Sequence, residues 1–124
     1  IYYYYDSPEF ANPAGQIFYL LSKKQLKAIT SIITLVELLA FRAPEKELEK
    51  IRDVFMTTPN LNVLAVDQEI ALEAAKIRRE YRYRLPDSIQ LATAVFAKAK
   101  AFITNDHRLK SFKQLKIISL LDLA

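Results

Sequence analysis

Three acidic residues occupy phrases of quite different character: Glu37 in TLVELL, Asp87 in LPDSIQLATA and Asp106 in ITNDHRLK. The chain has no cysteine and a single histidine, His107. A thiolate nucleophile, sulfur-ligated zinc and a disulfide framework are thereby excluded. Carboxylates with little else beside them are the ligand set of hard divalent cations, Mg²⁺ or Mn²⁺, which prefer oxygen donors and retain waters. Such an ion clamps phosphate oxygens and activates water. Where two are held about 4 Å apart, they stabilise both the attacking and the leaving oxygen of an in-line displacement.

Carboxylates so distant in sequence meet only if the fold carries them to one edge. From Pro44 to Met56 the apolar residues Leu48, Ile51 and Phe55 share one face opposite Glu and Lys, which predicts a surface helix with Pro44 at its start. Asn12-Pro13 opens an earlier helix that directs Ile17, Phe18 and Leu21 inward, and Asp67 caps a later one carrying Ile70, Ala74 and Ile77. That later helix ends in the positive charge of Arg78 to Arg84. From Ser88 to Ala99 almost no polar face is left, so this helix is expected to be buried, its alanines allowing close approach. Pro59-Asn60 turns the chain into LNVLAV, and KAITS, LNVLAV, AFIT and LKIISLL read as short strands. Strands alternating with helices predict an α/β, three-layer fold, a mainly parallel central sheet flanked by helices. The 124 residues form one domain of this kind. Ligands in such folds bind beyond the carboxyl ends of the strands, where all three acids are expected.

Each acid also has a purely structural reading. Thr34 and Glu37 have the spacing of a capping box, as do Asp87 and Gln90. Asp106 beside Asn105 suits a turn. Spacing alone supports an acidic metal site without excluding these roles.

Taken in order, SIITLVELL, LPDSIQLATA and AFITNDHRLK resemble the successive motifs of the PIN-domain family, and of the VapC-type toxin ribonucleases within it. The resemblance spans nearly the whole chain, and the order and intervals of the phrases make it more specific than any one motif. It implies a PIN-like fold, Mg²⁺ or Mn²⁺, endonucleolytic cleavage of RNA, a cognate antitoxin and a homodimer. The acidic site carries over onto Glu37, Asp87 and Asp106 as catalytic and metal-binding residues, with Thr104 as a polar helper. The family places a further aspartate in its opening strand. IYYYY resembles the continuation of that opening phrase and not its beginning, so the aromatic run is expected to be helical and the strand with its aspartate to lie upstream of Ile1. Taking Asp6 as that aspartate leaves only 31 positions to Glu37, shorter than the family's interval, and Asp6 is expected to be a surface or turn residue.

Lys and Arg outnumber Asp and Glu by 18 to 14, which suits a polyanionic partner. Arg82 and Arg84 in RREYRYR, and Arg108 and Lys110 after Asp106, are candidates for RNA phosphates, the tyrosines for stacking on bases. The bland alternative for both clusters is a solvated, charged surface. His107 lacks a second histidine and is expected to be exposed. No apolar run is long enough to span a membrane, and the cysteine-free composition fits the cytoplasm. Two other functions stay open: a catalytically inactive PIN-like module binding RNA or protein, and an α/β phosphatase, for which no phospho-acceptor aspartate motif is visible.

Overall fold

The computed structural model of the chain describes residues 26–119. The tyrosine run, Asp6 and the helix expected after Asn12-Pro13 lie outside the described residues, as does the end of LKIISLL. The described elements run β1 (Ala28–Ser31), α1 (Ile33–Leu39), α2 (Glu45–Met56), β2 (Leu61–Leu64), α3 (Gln68–Tyr81), α4 (Leu85–Phe96), β3 (Ala101–Thr104), a 3₁₀ turn (His107–Ser111) and β4 (Lys116–Ser119). Among the described residues the strands form two parallel pairs, β1 with β2 and β3 with β4. Ala28 lies opposite Leu61, and Thr104 opposite Ser119. The α/β alternation legible in the sequence is therefore present, with shorter strands: LNVLAV contributes only Leu61–Leu64.

The apolar periodicities become two cores. On one side Leu38 of α1 packs with Ile51 and Phe55 of α2, and Leu61 and Val63 of β2 lie against them. On the other, Ile70, Ala74 and Ile77 of α3 meet Leu91 and Ala92 of α4, above Phe102 of β3 and Ile117 of β4. Leu91 and Ala92 have no solvent exposure. Burying a leucine so completely contributes about 1.5–3 kcal/mol, and the neighbouring alanine permits the close helix approach that achieves it. The expected burial of α4 does not extend to its last residue, since Phe96 remains 47% exposed.

Local chemistry fixes the helix ends. Asp67 Oδ1 accepts the Ile70 backbone N–H at 2.9 Å, the expected cap of α3. The two capping boxes do not form. Ile32 and Arg84 hold the N-cap positions of α1 and α4, neither with a side-chain cap bond, so Thr34 and Asp87 fall inside their helices. The chain leaves α3 through Arg82 in the left-handed conformation, φ 59°, which costs a residue bearing a Cβ about 1–2 kcal/mol. Arg78 secures this turn by donating to the Tyr83 carbonyl oxygen at 2.6 Å. Tyr83 is itself buried, its hydroxyl 2.6 Å from Ser111 Oγ.

Candidate active site

Gln90, one turn inside α4, ties that helix to the end of β1. Its side-chain oxygen accepts the Ser31 backbone N–H at 3.2 Å, and its amide nitrogen donates to Thr34 Oγ1 at 2.7 Å. Thr34 Oγ1 in turn lies 2.7 Å from Thr30 Oγ1. This cluster anchors the start of α1 beside the first turns of α4, so that Glu37 and Asp87 come within electrostatic reach of each other. Partial burial holds the Glu37 carboxyl above its ordinary value of 4.5, and the negative charge of Asp87 adds to the effect; a hydrogen bond from Gln90 and the charge of Arg84 act in the opposite direction.

Asp106 stands at the other end of the same region, after the carboxyl end of β3. Thr104 Oγ1 accepts the Asp106 backbone N–H at 3.1 Å, which sets the turn. Asp106 then caps the 3₁₀ turn, its Oδ1 accepting the Arg108 backbone N–H at 3.0 Å. The turn role read from Asn105-Asp106 is thus real, and it coexists with a second engagement. Arg108 grips both carboxylate oxygens, Nε on Oδ1 at 3.1 Å and Nη2 on Oδ2 at 2.7 Å. That grip is the main reason its carboxyl is lowered to about 2. Across the gap, Arg84 Nε donates to Asp87 Oδ2 at 3.2 Å. The charge of Arg84 also acts on Asp106, and that of Asp87 on Arg108, so the two pairs share one electrostatic environment. A cleft of about 310 Å³ opens here, with Arg82, Arg84, Asp87 and Arg108 among its lining residues.

All the oxygen donors are of the hard type that Mg²⁺ and Mn²⁺ select. Among the described residues, no three acidic or histidine side chains stand close enough together to hold one ion. Asp87 acts on Glu37 through its charge, while Asp87 is itself paired with Arg84 and Asp106 with Arg108. Of the candidate phosphate contacts, Arg82, Arg84, Arg108 and Lys110 are all exposed, as is His107. The tyrosines of RREYRYR have another role: Tyr81 and Tyr83 stack on each other, ring centres 5.1 Å apart, with Phe112 edge-on to both. They close the second core, Tyr83 buried and Tyr81 half-buried, and both also line the cleft beside Arg84 and Asp87. Sequence reasoning paired Gln90 with Asp87 as a capping box and missed its bonds to Ser31 and Thr34. The available signal was a polar side chain, Gln90, set between the apolar Ile89 and Leu91.

A PIN domain model matches residues 1–115. The chain belongs to the PIN-domain family. Among solved structures this PIN domain is similar to a chain of a toxin-antitoxin complex from Klebsiella pneumoniae, at 25% identity over 73% of this chain and 71% of that one, with a TM-score of 0.57. It is also similar in fold to a chain of VapBC2 from Rickettsia felis bound to a DNA fragment from their promoter, at 16% identity over 95% of this chain and 90% of that one, TM-score 0.70. None of the curated proteins matches it. The PIN-like α/β fold read from the three phrases is therefore established, and the fold resembles VapC toxins of toxin-antitoxin complexes. Among the described residues, no helix is long and apolar enough to cross a membrane.

The opposed influences on Glu37 give a testable pH effect. A carboxyl raised in the folded state takes up its proton at higher pH there than in the unfolded chain. The stability tied to it is present below the ordinary value of 4.5 and declines as pH rises through the raised folded value. Gln90→Leu removes the bond that opposes the rise and leaves the Ser31 N–H without its acceptor. The Glu37 titration, measured by NMR of its carboxyl carbon, is expected to move further upward. Stability at neutral pH is expected to fall by about 1–3 kcal/mol, measured by urea denaturation.

Proposed function

We propose that this PIN domain is a Mg²⁺- or Mn²⁺-dependent endoribonuclease, the toxin of a toxin-antitoxin pair acting as a cytoplasmic homodimer. The observation that carries the reading is the gathering of Glu37 and Asp87 through the Gln90 cluster, with Asp106 placed by Thr104 at the neighbouring strand end. Glu37, Asp87 and Asp106 would hold the metal, which, when bound, supplies positive charge for phosphate oxygens and lowers the pKa of water. The residues present do the rest. Arg82, Arg84, Arg108 and Lys110 supply cations for the backbone of a single strand. The similarity to toxin chains of solved complexes supports an antitoxin as the protein partner.

The test is cleavage of a panel of structured and single-stranded RNAs by the full-length protein in Mn²⁺ or Mg²⁺. Cleavage is expected, with loss in EDTA and inhibition by the protein encoded beside it. No cleavage of any RNA would remove the reading. The arginine pairing of Asp87 and Asp106, with no close group of three acids among the described residues, favours a second reading: an inactive module that binds RNA. Salt-dependent RNA binding without cleavage would select it.

A further inference from the structure

Asp106 takes the guanidinium of Arg108 from one side. Nε reaches Oδ1 at 3.1 Å and Nη2 reaches Oδ2 at 2.7 Å, while the Arg108 backbone N–H is held on the same carboxylate at 3.0 Å. A guanidinium is a planar fork of N–H donors, so this side-on grip leaves its end, Nη1 with the second hydrogen of Nη2, to meet another acceptor. No described residue accepts from Arg108 Nη1. The Arg108 side chain is 65% exposed against 20% for Asp106, and Arg108 lines the cleft. The carboxylate is therefore the sheltered partner and the guanidinium the outer one. Arg84 repeats the layout more loosely, through Nε alone on Asp87.

We infer that Asp106 is a positioning residue for Arg108, holding its guanidinium side-on so that the open end grips a phosphate of single-stranded RNA in the cleft without any metal. The inference rests on the reading of this cleft as an RNA site and names the residue that orients its cation. Ordering a long, rotamer-rich side chain is one of the costs of binding, and here it is met in the free protein, so the phosphate finds a fork already set. The open end carries paired donors of the kind that phosphate oxygens accept bidentately. Asp106 also repels the phosphate through its own charge. Orientation and repulsion thus make opposite demands: loss of the carboxylate charge weakens RNA binding if orientation dominates and strengthens it if repulsion does. Water and salt screen charges at the mouth of an open cleft, whereas orientation acts at contact, so orientation is expected to win.

Binding of a 2′-O-methyl RNA, which resists cleavage, to the full-length protein in EDTA, read by fluorescence anisotropy over a range of salt concentrations, tests this role. Arg108→Lys keeps the charge and removes the fork. Asp106→Asn keeps an oxygen for the Arg108 backbone N–H and removes the ionic grip; circular dichroism confirms folding of both. Each is expected to weaken binding about fivefold, with the salt dependence unchanged in Arg108→Lys because its charge remains. In the Arg108→Lys background, Asp106→Asn is expected to add no further loss, since its effect runs through Arg108. Asp53→Asn, which dissolves the exposed pair with Arg52 outside the cleft, is expected to change affinity by less than about twofold. Equal or tighter binding by Asp106→Asn, or a full second loss in the double variant, overturns the positioning role while leaving RNA binding in place. Absence of binding by the wild type in EDTA also overturns it, and the cleavage assay in Mn²⁺ tests the metal-dependent reading separately.

Discussion

Asp87→Asn is expected to lower RNA cleavage by the full-length protein at least about a hundredfold, without unfolding it, and Asp106→Asn to do the same. Both changes keep the shape of the side chain and remove its charge. Asp87 lies in the first turn of α4, next to Glu37 in its field and within reach of Arg84. Its replacement removes one exposed ion pair, which contributes no more than about 1 kcal/mol. A large catalytic loss beside a small stability loss is therefore the signature of a chemical role. For Asp106 the comparison needs one addition, because it also caps the 3₁₀ turn. Asn retains an oxygen for the Arg108 N–H, so the cap persists. Single-turnover cleavage at saturating Mn²⁺, alongside urea denaturation, separates the two contributions. Wild-type rates in either variant would remove that residue from the site. A loss matched in size by unfolding would assign it to structure.

Leu91→Ala is expected to produce the largest loss of stability of any single truncation in α4, about 2–5 kcal/mol. Leu91 is fully enclosed where α3 and α4 cross, one helical turn beyond Asp87 and adjacent to Gln90. Domains of this size are stable by only about 5–15 kcal/mol, so the change removes a large fraction of the total. Urea denaturation is expected to show a lower midpoint with an unchanged slope. Val36→Ala provides the contrast. Val36 is 65% exposed on α1, and its truncation is expected to stay within about 0.5 kcal/mol of wild type. Similar losses at the two positions would mean that the core does not lie where α3 crosses α4.

Where the local sequence carried a physical signal, the fold was legible. The Asp67 cap, the Pro44 start and the apolar stripes of α2 and α3 are all decided within a few residues. So was the buried character of α4, because its apolar residues from Ile89 to Val95 leave little polar face. The failures have a common cause. Thr34-Glu37 and Asp87-Gln90 have capping-box spacing, but each helix begins earlier than that spacing requires: Ile32 and Arg84 take the N-cap, leaving Gln90 free to reach Thr34 and Ser31. No local rule anticipates a bond across 59 positions. Likewise, the arginines near the acids were legible as charge, whereas the engagement of Asp87 by Arg84 and of Asp106 by Arg108 depended on how the start of α4 and the 3₁₀ segment fold.

The Gln90 cluster also bears on when the site comes into being. Its bonds join residues 56 and 59 positions apart, and Asp106 comes later still. Closing so long a loop carries an entropic cost that is recovered only when α4 seats against β1. The segment bearing Glu37 belongs to the smaller core with α2 and β2, which contains no residue of α4. A chain interrupted before β3 holds two of the three acids at most. Among the described residues, the acids therefore approach one another only after α4 and the turn beyond β3 are in place.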